Sequence, residues 1–288
     1  MVAVPMRLRA ATLLASLLGV FPALAADAGV APLRFVLTPY QTPDELKAHY
    51  RPLADRLAAK LQQPVELIVA DDFGKAADML VDGRADVAEV TPYAFVAAMR
   101  RARLSPIVAD AMLGRPGTGV IIVSAASKVK ALEDLKGTSF GFVDQFSSTG
   151  FLGPWAMLQV KGLRPSEFFS KWTFLGSHSA VIDAVLKGTV DAGAVSRHSV
   201  DTEIAEKRID ASKLRVVMET ARMPGDVVCG RADLPAATRD LIEKELLALD
   251  WNVRADRAVL EPMLRKKYEP VDVYDYGWLL RVASSIKK

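Results

Sequence analysis

Apolar and polar positions along this chain alternate between two periods. Leu33–Leu37 is a short apolar run broken by Thr38-Pro39-Tyr40, which predicts a strand. From Pro43 to Leu61 the apolar positions Leu46, Tyr50, Leu53, Leu57 and Leu61 fall on one helical stripe. Val65–Ala70 reads as a second strand. Asp71-Asp72 then caps a helix that carries Ala76, Met79 and Leu80. Ala85–Val90 reads as a third strand, and Thr91-Pro92 opens another helix, because proline is tolerated in a first turn. Strands alternating with helices of this length predict βαβ units and a mainly parallel sheet.

A second series begins near Gly119. Val120–Val123, Ser139–Val143, Trp172–Leu175 and Val190–Val195 read as strands, with helices over Leu132–Leu135, Gly150–Lys161 and Ala180–Leu186. Leu214–Met218 leads into Pro224–Val228, and from Thr238 the pattern is mostly helical. One segment echoes another. Leu80-Val81-Asp82-Gly83-Arg84-Ala85-Asp86 and Leu186-Lys187-Gly188-Thr189-Val190-Asp191 both read helix, glycine cap, aspartate, strand, and their glycines sit 105 residues apart. We read two similar α/β lobes, with the chain crossing between them near Gly117–Val120 and Thr220–Asp226. The expected division is 26–118 for the first part of lobe 1, 119–219 for lobe 2, and 220–288 for the return to lobe 1 and C-terminal helices. A cleft is expected between them, at the C-terminal ends of the strands.

The N-terminus stands apart. Arg7 and Arg9 precede an apolar run from Ala10 to Leu24, and Ala23-Leu24-Ala25 has the small-x-small form of a cleavage site. The run is short for a membrane span. Residues 1–25 are therefore expected to be a signal peptide cleaved near Ala25, which places the mature chain in the periplasm. Their removal takes two arginines and no acid, leaving 35 basic and 34 acidic residues, a net charge of +1. With 51% hydrophobic residues a substantial core is expected, and the absence of a broad basic patch gives no reason to expect nucleic acid. A single cysteine, Cys229, excludes an intramolecular disulfide, and three histidines offer no metal site.

Candidate chemistry gathers at strand-to-helix turns. Ser147-Ser148-Thr149-Gly150 follows a strand and opens a helix, where free N–H groups and the helix dipole favour an anion. One hydroxyl would serve as an ordinary cap, whereas three plus a glycine exceed that need; on the residues alone both readings stand. His178, in Gly176-Ser177-His178-Ser179, either donates to an anion or merely caps and packs. Thr91 and Tyr93 would offer a similar helix start from the first lobe. Phe73 and Tyr40 either wall a pocket or pack in the core. Asp226 is either a turn residue or a carboxylate facing a cationic part of a ligand. Neither G-x-S-x-G nor H-E-x-x-H occurs, and no spacing supports a Ser147, His178, Asp144 triad.

Taken together these segments resemble the periplasmic phosphate/phosphite/phosphonate-binding proteins of bacterial ABC importers. The carriers are Gly83–Ala88 with Thr91-Pro92-Tyr93-Ala94, Ala131–Gly137, Phe142-Val143-Asp144 with Ser147–Pro154, Gly176-Ser177-His178, Val190–Val195 and Met223-Pro224-Gly225-Asp226. The resemblance implies an α/β, two-lobed type II periplasmic-binding fold that closes over its ligand, no cofactor, no metal and no catalysis. It implies that Ser147, Ser148, Thr149 and His178 hold phosphonate oxygens and that Asp226 faces the ligand's amino end. Two places depart from the pattern: Phe73 follows Ala70-Asp71-Asp72, with Val90 at the next strand end, where tyrosines are found, and Ser196-Arg197-His198 stands where a carboxylate is found. Fewer carboxylates and a possible extra arginine favour a small, wholly anionic ligand over 2-aminoethylphosphonate. The expected partners are that ligand and a permease, with the protein itself a monomer. The alternatives are a ligand sensor for a membrane kinase, taking an oxyanion such as arsenite, and a secreted phosphate-ester hydrolase.

Overall fold

The protein is described here by a computed structural model covering residues 30–112 and 117–286. The proposed signal peptide lies outside those residues. Strand β1 (Leu33–Leu37) leads into α1 (Pro43–Leu61), whose Thr42 and Glu45 close a capping box and whose second residue-type signal, Pro43, sits at its first position. Then follow β2 (Val65–Val69), α2 (Phe73–Val81) with Asp72 as N-cap, β3 (Val87–Val90), and α3 (Pro92–Met99) with Thr91 as N-cap. Strand β4 (Leu104–Met112) occupies a stretch with no strand signal in its residue pattern. After β5 (Gly119–Ser124) and β6 (Ser139–Phe142), the chain enters a π-helical turn, Ser148–Leu152, that continues as α4 (Gly153–Val160). Short α5 (Pro165–Phe168), β7 (Lys171–Phe174), α6 (His178–Leu186), β8 (Ala192–Ser196), α7 (Arg197–Ala205) and β9 (Leu214–Glu219) complete this stretch. The chain ends with β10 (Val227–Arg231), α8 (Ala236–Leu247), α9 (Arg254–Leu260), β11 (Arg265–Pro270) and α10 (Tyr274–Ser285). Strand β11 interrupts what the sequence predicts as helix. Its Arg265-Lys266-Lys267 start is too polar to read as a strand until β4 supplies the neighbour.

Two sheets form, in the orders β11-β4-β10-β3-β1-β2 and β7-β6-β8-β5-β9. The expectation of mainly parallel sheets needs correction, because each is mixed. In the first, β2, β1 and β3 run parallel, with Phe35 opposite both Leu67 and Val87, while β10 is antiparallel to β3 and β4. In the second, β7, β6 and β8 are parallel, and β5 is antiparallel to β8 and β9. The antiparallel strands are those next to the crossings between sheets, where the chain leaves one sheet through β4 into β5 and returns through β9 into β10.

The α1 stripe is buried as its period predicts. Leu46, Leu53 and Leu57 pack on Phe35, Leu37 and Val65, each such burial worth about 1.5–3 kcal/mol against exposure. The echo between the two lobes is real in backbone terms. Gly83 and Gly188 both follow a helix with φ of 70° and 69°, a left-handed conformation that glycine adopts without steric cost and that ends a helix sharply. Side chains cross between the halves in both directions. Phe73, from α2 beside the first sheet, is fully buried in the apolar cluster of Val120, Ile122, Val143 and Val181 under the second sheet. Leu152 packs reciprocally with Val90, Ala94, Met223 and Val227. Among the described residues no helix is long and apolar enough to cross a membrane.

Candidate functional site

A cavity of about 580 Å³ lies between the lobes. Eight of the nine residues singled out above line it: Tyr40, Phe73, Thr91, Ser147, Ser148, Thr149, His178 and Asp226. On the lobe 2 side, β6 delivers the loop Val143–Ser147 to the helix start. Ser147 is the N-cap, and its Oγ accepts from Gly150 N at 3.0 Å. One of the three hydroxyls is thus the cap, and the other two are free of that duty. The first turn is π-helical, which widens the helix mouth; single π turns recur at functional sites. The N–H groups of Ser148 and Thr149 open the helix and have no partner within it.

His178 is the first residue of α6 and is buried. Its Nδ1 accepts from the Ser196 N–H at 3.0 Å. An imidazole nitrogen that accepts has no proton, so the neutral ring carries its proton on Nε2. Burial, with His198 adding, pushes the imidazolium down to about 3, so the ring is a neutral donor. Donation to an anion is therefore confined to Nε2. The imagined triad is also not assembled. The Asp144 carboxylate accepts from Phe146 N at 2.7 Å, and His178 Nδ1 is held by backbone instead of by a carboxylate.

Two first-lobe residues do not act as expected. The Thr91 hydroxyl lines the cavity, but it donates to the Phe146 carbonyl at 2.7 Å and accepts from Ala94 N at 3.2 Å. Tyr93 is half-buried outside the cavity. The turn of α3 carries its ring onto Phe146, 5.6 Å away between centroids, and only its backbone N–H reaches the site, donating to Ser148 Oγ at 3.0 Å. Phe73 stands edge-on to both His178, at 6.3 Å, and Tyr40, at 5.5 Å, forming an apolar wall between the two ends of the cleft.

At the lobe 1 end the Tyr40 hydroxyl donates to Asp226 Oδ2. Asp226 sits beside Asp110 and Glu89, whose carboxylates lie within 4.8 Å of it and of each other. Arg265 pairs with Glu89 and Asp110 and stands 3.8 Å from Asp226. Three carboxylates thus face one guanidinium. Burial pushes Asp110 up to about 6, and burial with the neighbouring Asp110 raises Asp226 well above the ordinary carboxylate range. The Asp226 N–H donates to Asp110 Oδ1 at 2.8 Å, which locks the two together across β4 and β10. Sequence reading missed Glu89, Asp110 and Arg265. A charged residue inside the apolar strand Ala109-Asp110-Ala111 was the available signal. Arg197, the possible extra arginine, pairs with Glu219 at 3.6 Å and does not line the cavity, whereas His198 does. Cys229 is buried on β10 among Ala88 and Val90, away from the cavity, and burial raises its thiol out of reach of ionisation.

Comparison with known proteins shows the family. A family model described as ABC transporter, phosphonate, periplasmic substrate-binding protein matches residues 35–276. The phosphate-import protein PhnD of Mycolicibacterium smegmatis is 28% identical over 229 residues, covering 75% of this chain and 71% of that protein. The phosphonates-binding periplasmic protein of Escherichia coli is 26% identical, covering 73% and 64%. The solved structure of PhnD1 from Prochlorococcus marinus in complex with methylphosphonate shares the fold at a TM-score of 0.81 and 19% identity, over 88% of this chain and 97% of that one. The chain belongs to the phosphonate periplasmic substrate-binding protein family of ABC transporters.

Proposed function

We propose that this protein captures a small phosphorus oxyanion of the phosphonate or phosphite type in the periplasm and delivers it, as a monomer, to the permease of an ABC importer. The observation that carries the reading is the donor set of lobe 2. Ser148 and Thr149 at a helix start and the neutral Nε2–H of His178 converge on one cavity, and none of these three donors carries a formal positive charge. An oxyanion is held there by hydrogen bonds and the helix dipole. Asp226, Asp110, Glu89 and Arg265 close the opposite end as a mutually paired cluster, so the oxyanion head points toward the donors of lobe 2. The carboxylates at that end also offer an amine a partner, which brings 2-aminoethylphosphonate back among the candidates. Catalysis is not part of the proposal, since His178 holds its proton on the cavity side and offers no base to Ser147. Nor does the buried Cys229 present a thiol to arsenite.

The test is a thermal-shift panel on the mature protein with phosphate, phosphite, methylphosphonate, 2-aminoethylphosphonate, sulfate and arsenite. A ligand that binds only the folded state raises Tm with the logarithm of its excess over Kd. A rise with a phosphorus oxyanion but not with sulfate is expected. Equal rises with sulfate, or none with any phosphorus compound, would overturn the assignment.

A further inference from the structure

The two lobes touch directly at one edge of the cleft, and among the described residues the polar contacts there involve helix starts. The Thr91 hydroxyl at the start of α3 donates to the Phe146 carbonyl of lobe 2 at 2.7 Å. The Tyr93 N–H, two residues further on, donates to Ser148 Oγ at 3.0 Å. The backbone N–H of Phe73 at the start of α2 faces the Asp144 carboxylate. The Phe146 ring lies over Gly74, where a Cβ would stand 2.7 Å from two ring carbons. Phe73 itself is fully buried in the lobe 2 core.

We propose that Thr91, Gly74 and Phe146 form a latch that holds the lobes shut and positions Ser148 for the ligand. Thr91 is thus a positioning residue, not a ligand contact. Its single proton goes to Phe146 O and one of its lone pairs accepts from Ala94 N, so it has no proton left to give an oxyanion. Ser148 gains what Thr91 gives up. A serine oxygen that accepts from the Tyr93 N–H directs its own proton away from that donor, which leaves it free to face an oxyanion oxygen. The latch therefore links closure to donor orientation. Ser148 is aimed only while the helix start of lobe 1 is docked. Gly74 is required because the ring of Phe146 occupies the space that any larger residue's Cβ would fill.

This inference rests in part on the oxyanion reading, and two measurements separate them. The first is affinity and dissociation rate for methylphosphonate, the probe ligand, in wild type, Thr91→Val, Thr91→Ser and Gly74→Ala. Thr91→Val keeps shape and loses the donor; it should weaken binding about tenfold, mainly through faster dissociation, as expected for loss of one buried hydrogen bond. Thr91→Ser should restore wild-type binding. Gly74→Ala touches no anion contact and should weaken binding as well. Binding by Thr91→Val and Gly74→Ala within twofold of wild type would overturn the latch. The second measurement is the radius of gyration of the ligand-free proteins by small-angle scattering, which needs no ligand. Expansion in Thr91→Val and Gly74→Ala, with Thr91→Ser compact, supports the latch even if no phosphorus oxyanion binds. Unchanged radii in both variants would sink it, whatever binds.

Discussion

His178 presents a single donor because its Nδ1 is committed to the Ser196 N–H. That commitment has a pH signature. An unfolded histidine titrates at its ordinary value of 6.5, and burial pushes this one to about 3. Between these values the unfolded chain takes up a proton that the folded ring refuses. The contribution of His178 to stability is therefore complete above 6.5 and is lost as pH falls toward 3. His178→Gln removes the titration. Its urea midpoint should lie below wild type at neutral pH, and the gap should narrow at about pH 4.5. A constant gap would mean that the ring is not buried neutral. The same side chain sets the character of the site, because a neutral donor grips an oxyanion by direction and count, which simple attraction between opposite charges does not do.

Among the secondary elements, the helix start after β6 depends on one small residue. A Cβ on Gly150 would overlap the Val143 side chain and press on Ser147 Oγ, which is the cap. Gly150→Ala should cost about 1–3 kcal/mol in urea denaturation, an overpacking penalty, and should weaken oxyanion binding together with it. Normal stability and normal binding would show that the turn relaxes freely. Such starts were the most legible part of the sequence. Asp72, Thr91 and Ser147 all cap the helices their types predicted, because a capping hydroxyl or carboxylate acts within three residues and needs no distant partner. Elements that depend on distant partners were not legible. Strand β4 contains Pro106 and Asp110, both poor strand residues alone; it exists because β10 and β11 flank it. Strand β11 begins with three cations and is a strand only as the edge partner of β4. Tyr93 was misassigned for a related reason. The motif fixes where α3 starts, but which way the ring turns depends on Phe146, 53 residues downstream.

Over the whole molecule, the acidic cluster joins the cleft to the crossings between lobes. Asp226 follows the returning segment and faces Tyr40, Glu89, Asp110 and Arg265 from four other elements or loops. Its carboxyl is raised well above the ordinary 3.8 by burial and then by Asp110, so the folded state holds a proton that the unfolded chain releases. This group's share of stability is present at low pH and lost as pH climbs through the folded value. Asp226→Asn should therefore gain on wild type in Tm between about pH 5 and about pH 8, and a difference that does not grow would show Asp226 ionised throughout. The strand that carries this region has a further consequence, for the order in which the chain can assemble. Strand β10 sits in the middle of the first sheet, between β4 and β3, yet it is made after the whole of the second sheet. Until Val227–Arg231 arrives, β3 and β4 have no common neighbour and the first sheet is in two pieces. The second sheet comes from one unbroken stretch and closes on local chain alone. During synthesis the lobe that begins the sequence is thus the one completed last, and its loop closures span more than a hundred residues, the kind of contact that slows folding most.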